Sequence, residues 1–289
     1  MLGPALMLGG IGLFALLDAN SKLLAAHYPL GQVLFCRFAT ILLAVAALRV
    51  LRPGTGGPIG TAHPWLHLLR AVAMLGSATF FFLAFRLLPL AEGYLVFFTA
   101  PFMTLALAAT ALGERMPPAA WAWSGVGFLG VAVALAPGLL GAEGERAMEG
   151  YLFALLGTLC YSTVFTVNRR LRGERGVARL LVWPTLLGLA ATSPLAAAEW
   201  VAPGPVAAMQ LMLNGALVAA ATLALAAAFR HADAARLAPM EFSGLLWSVG
   251  FDLLLWQRAP TAASLLGGAI VVLACVMSER AQRRDRPEG

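Results

Sequence analysis

Leu13-Phe14-Ala15-Leu16-Leu17-Asp18-Ala19-Asn20-Ser21-Lys22 decides how this chain is read. Its first half is apolar enough for lipid; its second half carries an acid, an amide and a base that lipid does not tolerate unpartnered. The apolar part recurs as Leu152-Phe153-Ala154-Leu155-Leu156, at an offset of 139. Two more matches follow in the same order. Ala84-Phe85-Arg86 returns as Ala228-Phe229-Arg230 at an offset of 144, and Arg115-Met116-Pro117 as Arg258-Ala259-Pro260 at 143. Matches in sequence order at nearly one spacing predict a duplicated unit.

The rest of the composition sets what that unit is. Of 289 residues 60% are hydrophobic and 12% charged, with a mean hydropathy of +0.81, against about 25% charged in soluble domains. A water-soluble globule is excluded. Apolar runs bounded by charge, Pro or Gly predict ten spans, near 4–26, 30–51, 66–87, 90–112, 118–138, 150–170, 178–198, 207–229, 235–256 and 261–279. The expected fold is an all-α integral membrane protein: one transmembrane domain over 1–289, with a first five-helix repeat in 1–140, a second in 150–280 and a basic tail in 281–289. The Gly/Pro-rich stretch 52–65 reads as the longest loop. No basic segment or cleavage site precedes the first apolar run, so that span is expected to remain in the mature chain.

The net charge of +6 follows from orientation. With both termini cytoplasmic, Arg49, Arg52, Arg70, Arg115, Arg169, Arg170, Arg172, Arg175, Arg179, Arg230, Arg236, Arg280, Arg283, Arg284 and Arg286 fall inside; Arg86, Arg146 and Arg258 fall outside beside Glu143, Glu145 and Glu149. Nucleic acid is not needed to explain the basic excess, and the partners expected are the bilayer and a small molecule. Five spans per copy is an odd number, so the second copy enters the membrane inverted. Inverted repeats can exchange conformations, which predicts alternating access rather than membrane-embedded catalysis.

Ionisable groups inside spans are few and are expected to face protein or water. Asp18 and Lys22, four residues apart on one helical face, are expected to neutralise each other. With Arg37, Glu92 and Asp252 they form a predicted polar network in the outer half of the membrane. Glu241 lies toward the cytoplasmic side behind Pro239, with Arg230 and Arg236 as local partners, and a proton-coupling role is assigned to it. Pro101 and Pro239 interrupt their helices and are the predicted hinges. Asn20, Lys22, Tyr94, Phe98, Tyr161, Glu241 and Trp247 are the candidate cavity residues.

Other chemistries lack their residues. Cys36, Cys160 and Cys275 are far apart and read as small core residues. His63 and His67 share a helical face without a third ligand nearby, so a solvated interface is expected and no metal site. G-x-S-x-G, H-E-x-x-H and Walker A sequences are absent from the chain, and the glycines of 125–130 are expected to serve close helix packing. No cofactor is expected.

Leu-Phe-Ala-Leu-Leu-Asp-Ala-Asn-Ser-Lys at 13–22, Phe-Cys-Arg-Phe at 35–38, Thr-Ala-Pro at 99–101 with Leu-Gly-Glu-Arg at 112–115, Ala-Pro-Met-Glu-Phe at 238–242 and Arg-Ala-Pro-Thr at 258–261 resemble the ten-helix EamA-type members of the drug/metabolite transporter superfamily. The chain departs from that pattern at Trp256-Gln257-Arg258, where the second copy normally has a Gly-Glu pair; Glu114 is therefore expected to serve the turn. The resemblance implies a secondary transporter of the bacterial inner membrane, monomeric or weakly dimeric. Its cavity lies between spans 1, 3, 4, 6, 8 and 9, and spans 5 and 10 pair for assembly. The architecture is most similar to the YddG aromatic-amino-acid exporters, which implies amino-acid export. Export of drugs or nucleotide-type metabolites is the alternative, and a lipid-modifying intramembrane enzyme is the alternative of another class.

Overall fold

The computed structural model describes residues 2–51, 60–114, 116–141, 144–171, 177–232 and 237–284. Most of the 52–65 loop, Arg52, Arg115, Glu143, Arg172, Arg175, Arg236, Arg286 and most of the tail lie outside them. The described residues form helices without strands: α1 Leu2–Ala25, α2 Leu30–Leu51, α3 Pro64–Leu87, α4 Leu90–Phe97, α5 Ala100–Ala111, α6 Pro118–Leu140, α7 Gly144–Arg170, α8 Val177–Ala198 and α9 Pro205–His231. A short 3-10 helix, Ala238–Phe242, then leads into α10 Ser243–Trp256, and α11 Ala262–Arg284 follows. Among the described residues nine helical stretches, counting Leu90–Ala111 as one, are long and apolar enough to cross a bilayer.

Two expected spans are broken. The span expected over 90–112 stops at Phe97 and restarts at Ala100, with Phe98 and Thr99 donating back to the carbonyls of Tyr94 and Val96. Pro101 does not kink a continuous helix: it sits in the first turn of α5, where a missing N–H removes no helical bond. The span expected over 235–256 becomes regular α-helix only at Ser243, after the 3-10 turn that carries Pro239. Other helices overrun their expected ends, because α7 begins at Gly144 and α11 continues to Arg284.

Helix pairing is the same when the two halves of the chain are exchanged. The most extensive contacts are α6 with α11, α3 with α7, α1 with α9, and α2 with α8. Close backbone approach carries the first pair. A Cβ on Gly267 would stand 2.4 Å from the carbonyl oxygen of Gly130, so any larger residue forces α6 and α11 apart. Gly127 packs against Phe102, which accounts for a second glycine of the 125–130 run.

Local structure recurs with the same spacing. The amide of Leu88 donates to Ala84 O at 2.8 Å after α3, and that of Ala232 to Ala228 O at 3.1 Å after α9. Glu114 N reaches Ala108 O at 3.2 Å after α5, and Arg258 N reaches Asp252 O at 3.0 Å after α10. The residue inside each of the last two turns is left-handed: Gly113 at φ 68° and Gln257 at φ 53°. The departure from the glycine pattern at 257 therefore changes the side chain and keeps the turn.

Candidate functional site

The interrupted helices meet at the centre. Phe98, at the break after α4, and Phe242, at the end of the 3-10 turn, have ring centroids 5.6 Å apart. From there a row of rings runs through the bundle. Phe97 lies 4.8 Å from Tyr161 of α7, 6.1 Å from Tyr94 and 5.8 Å from Phe81 of α3; Tyr161 in turn lies 4.7 Å from Phe165. Edge-to-face geometry prevails among these contacts, the arrangement that the ring quadrupoles favour.

Asp18 of α1 closes one end of the row. Tyr94 donates its hydroxyl to Asp18 Oδ2 at 2.8 Å. Oδ1 has no donor among the described residues and is not sealed from solvent. Asp18 and Tyr161 are both half-buried. Glu241, in the 3-10 turn next to Phe242, is exposed. Its expected partner Arg230 does not reach it, and Arg236 lies outside the described residues.

The other candidates go elsewhere. Lys22 does not neutralise Asp18; it donates to Leu88 O and lies 4.8 Å from the ring centre of Trp256. Asn20 is buried and donates to Gln210 O at 2.9 Å, fastening α1 to α9. Trp247 is exposed on the face of α10 that carries Leu246 and Leu254, where it covers Gly12. Its ring also stacks on Phe251 at 6.4 Å between centroids, and Phe251 packs against the cluster that holds Phe85 and Tyr94.

Among the described residues no ion pair joins two of the five network charges, and each has neutral hydrogen-bonding partners. Arg37 donates through Nε to Asn214 Oδ1 at 2.5 Å and through Nη2 to Ser21 Oγ at 2.9 Å, and Asn214 Nδ2 donates to the same hydroxyl at 2.9 Å. Glu92 accepts the Tyr151 hydroxyl at 2.6 Å. Asp252 accepts the amides of Leu90 at 3.1 Å and Ala91 at 2.8 Å, capping α4 from α10 across the two halves of the chain. A cleft of about 260 Å³ opens above that cap, lined by Glu92, Asp252, Arg258 and Thr261. Sequence reading missed Ser21, Tyr151 and Asn214. Asn214, an amide inside the apolar run of α9, was the readable signal.

At the opposite end Glu114 pairs with Arg169 at 3.1 Å, and Arg170 donates to Ala111 O, so Glu114 ties α7 to the turn after α5. His67 is buried rather than solvated, while His63 is exposed. Among the described residues no group of His, Cys, Asp and Glu could hold a metal ion.

A helical bundle with membrane-length helices, inward-turned ionisable groups and two interrupted helices meeting at its core is a multi-pass membrane protein built like a carrier. Residues 148–279 match the EamA-like transporter family. The second half of the chain therefore carries an EamA-like domain of the drug/metabolite transporter superfamily. Similar curated proteins include a pseudopaline exporter of Pseudomonas aeruginosa, 25% identical over 93% of both chains. Others are an S-adenosylmethionine uptake transporter of Rickettsia conorii, 24% identical over 92% of this chain and 90% of its own, and a riboflavin transporter of Rhizobium johnstonii, 27% identical over 97% and 92%. One solved crystal structure superposes over 98% of each chain with a TM-score of 0.67 at 20% identity, a likeness of fold alone. The relatives are named as transporters of small metabolites, and this chain is a small-metabolite transporter rather than an enzyme; the bacterial inner membrane fits those relatives.

Proposed function

We propose that this protein exports amino acids, aromatic ones above all, by alternating access between two inverted five-helix halves. The observation that carries the reading is the meeting of the two interrupted helices at Phe98 and Phe242, with the Asp18–Tyr94 hydrogen bond and the Phe97–Tyr161 ring contact beside it. Half-helix ends at a midplane site are what a carrier needs, because they expose backbone polarity only where substrate or water can answer it. The exchange-symmetric helix pairing and the recurring turns support the duplication, and the arginine distribution supports cytoplasmic termini.

In that orientation the α3–α4 turn is outside. The Asp252 cap and the Glu92–Tyr151 bond then close the outer end, while Glu241 faces the cytoplasm: an inward-facing state. A bound amino acid places its ammonium at Asp18 and its side chain among Phe81, Phe97 and Tyr161. Glu241 couples export to proton entry, acting among Tyr161 of α7 and Cys275 and Glu279 of α11.

Counterflow in proteoliposomes tests the function. Vesicles preloaded with unlabelled phenylalanine are expected to accumulate labelled phenylalanine chemically unchanged, and an Asp18→Asn variant is expected to lose this. Covalent conversion of the label, or no exchange across a panel of amino acids by folded protein, contradicts the proposal.

A further inference from the structure

Resting on that carrier reading, we infer that Lys22 and Asp252 are positioning residues that exchange partners during transport: in this state both hold the α3–α4 turn, and when the turn withdraws they pair with each other. The turn is gripped from two helices. Lys22 of α1 donates to the carbonyl of Leu88, and Asp252 of α10 accepts the amides of Leu90 at 3.1 Å and Ala91 at 2.8 Å. A cation on a carbonyl and an anion on amides are the signs those peptide groups attract. The two side chains are also near each other. The Lys22 ammonium stands 4.8 Å from the ring centre of Trp256, which follows Asp252 by four residues, one turn along the same face of α10.

Withdrawal of the turn takes both donors from Asp252 at once. The residue is 2% exposed, and a carboxylate in that setting is strongly destabilising without a replacement. The same movement frees Lys22, because its acceptor belongs to the turn. Competing partners are committed. Arg37 is held by Asn214 and Ser21, and Arg258 is exposed to water at the outer cleft. Glu92, the other acid near the turn, is part of α4, travels with it and already accepts the Tyr151 hydroxyl. One pair of charges therefore satisfies two states: each bonds a backbone group of the turn when the outer end is closed, and each bonds the other when it is open.

Lys22 is the one lysine of the chain, so a zero-length carbodiimide cross-link from its side chain is assigned directly by mass spectrometry. In the full-length protein in lipid nanodiscs the expected product is an amide between Lys22 and Asp252. The second measurement uses the exchanged variant, Lys22→Glu with Asp252→Lys, which keeps the pair but turns both contacts with the α3–α4 turn repulsive. Spin labels at Arg86→Cys and Arg258→Cys, in a background without the native cysteines, should show the outer separation lengthened, with the open-to-closed ratio raised at least about 10-fold, the value of one hydrogen bond to a charged group. The melting temperature reports whether the exchanged variant folds; if it does not, the cross-link in the unmodified protein decides. No amide from Lys22, an amide to Glu92 alone, or an unchanged distance in the folded exchanged variant overturns the inference. Neither readout uses a substrate, so that failure leaves the carrier reading standing, whereas absent counterflow strikes the carrier reading and alters neither readout.

Discussion

The two ends of the bundle are held by different physics. At the α3–α4 end, elements from opposite halves are joined by directional polar bonds: Asp252 to the first amides of α4, and Tyr151 to Glu92. At the other end the bond between Arg169 and Glu114 is half exposed, the Phe98–Phe242 contact is apolar, and Glu241 is exposed. Apolar contacts slide and re-pack at small cost, whereas a buried carboxylate that caps a helix is either in place or broken. On the proposed carrier reading, the first end is the closed one and the second the one that gives access.

Removing the seal should therefore cost most. Asp252→Ala leaves two buried amides without acceptors and is expected to destabilise the protein by about 3 kcal/mol, with Tyr151→Phe costing about 1 kcal/mol. Thermal unfolding in detergent measures both, and an Asp252→Ala loss below about 0.5 kcal/mol would mean that the cap does not hold the end.

The paired turns sharpen the comparison at smaller scale. Gln257→Gly relieves a left-handed non-glycine residue and should gain about 0.5–1 kcal/mol, while Gly113→Ala in the corresponding turn should lose a similar amount. Equal signs for the two would show that the turns are not equivalent. At the loose end Glu241→Gln should change stability by less than about 0.5 kcal/mol, yet abolish the response of transport to a pH gradient. An undiminished response removes Glu241 from coupling.

Most of the fold was legible in the sequence because lipid imposes one rule, that every backbone group be satisfied within the segment, and apolar runs obey it visibly. The central aromatic residues Tyr94 and Tyr161 were legible for the same reason, being polar-tipped rings where neither an interface nor a soluble surface could account for them. The pairing of the charges was not. Asp18 and Lys22 share a helical face, but tertiary packing offered each a better partner, Tyr94 76 residues away and Leu88 66 residues away. Nor does the sequence announce that Asp252 caps a helix begun 162 residues earlier, since capping across the bundle leaves no local pattern.

The central claim is that the two ends open in turn. Spin labels placed by Arg86→Cys with Arg258→Cys at one end, and by Ala111→Cys with Arg230→Cys at the other, read the separation of the halves by pulsed electron resonance. The account predicts reciprocal changes when phenylalanine is added, one distance lengthening as the other shortens. Distances that stay fixed at both ends, or that lengthen and shorten together, would contradict it.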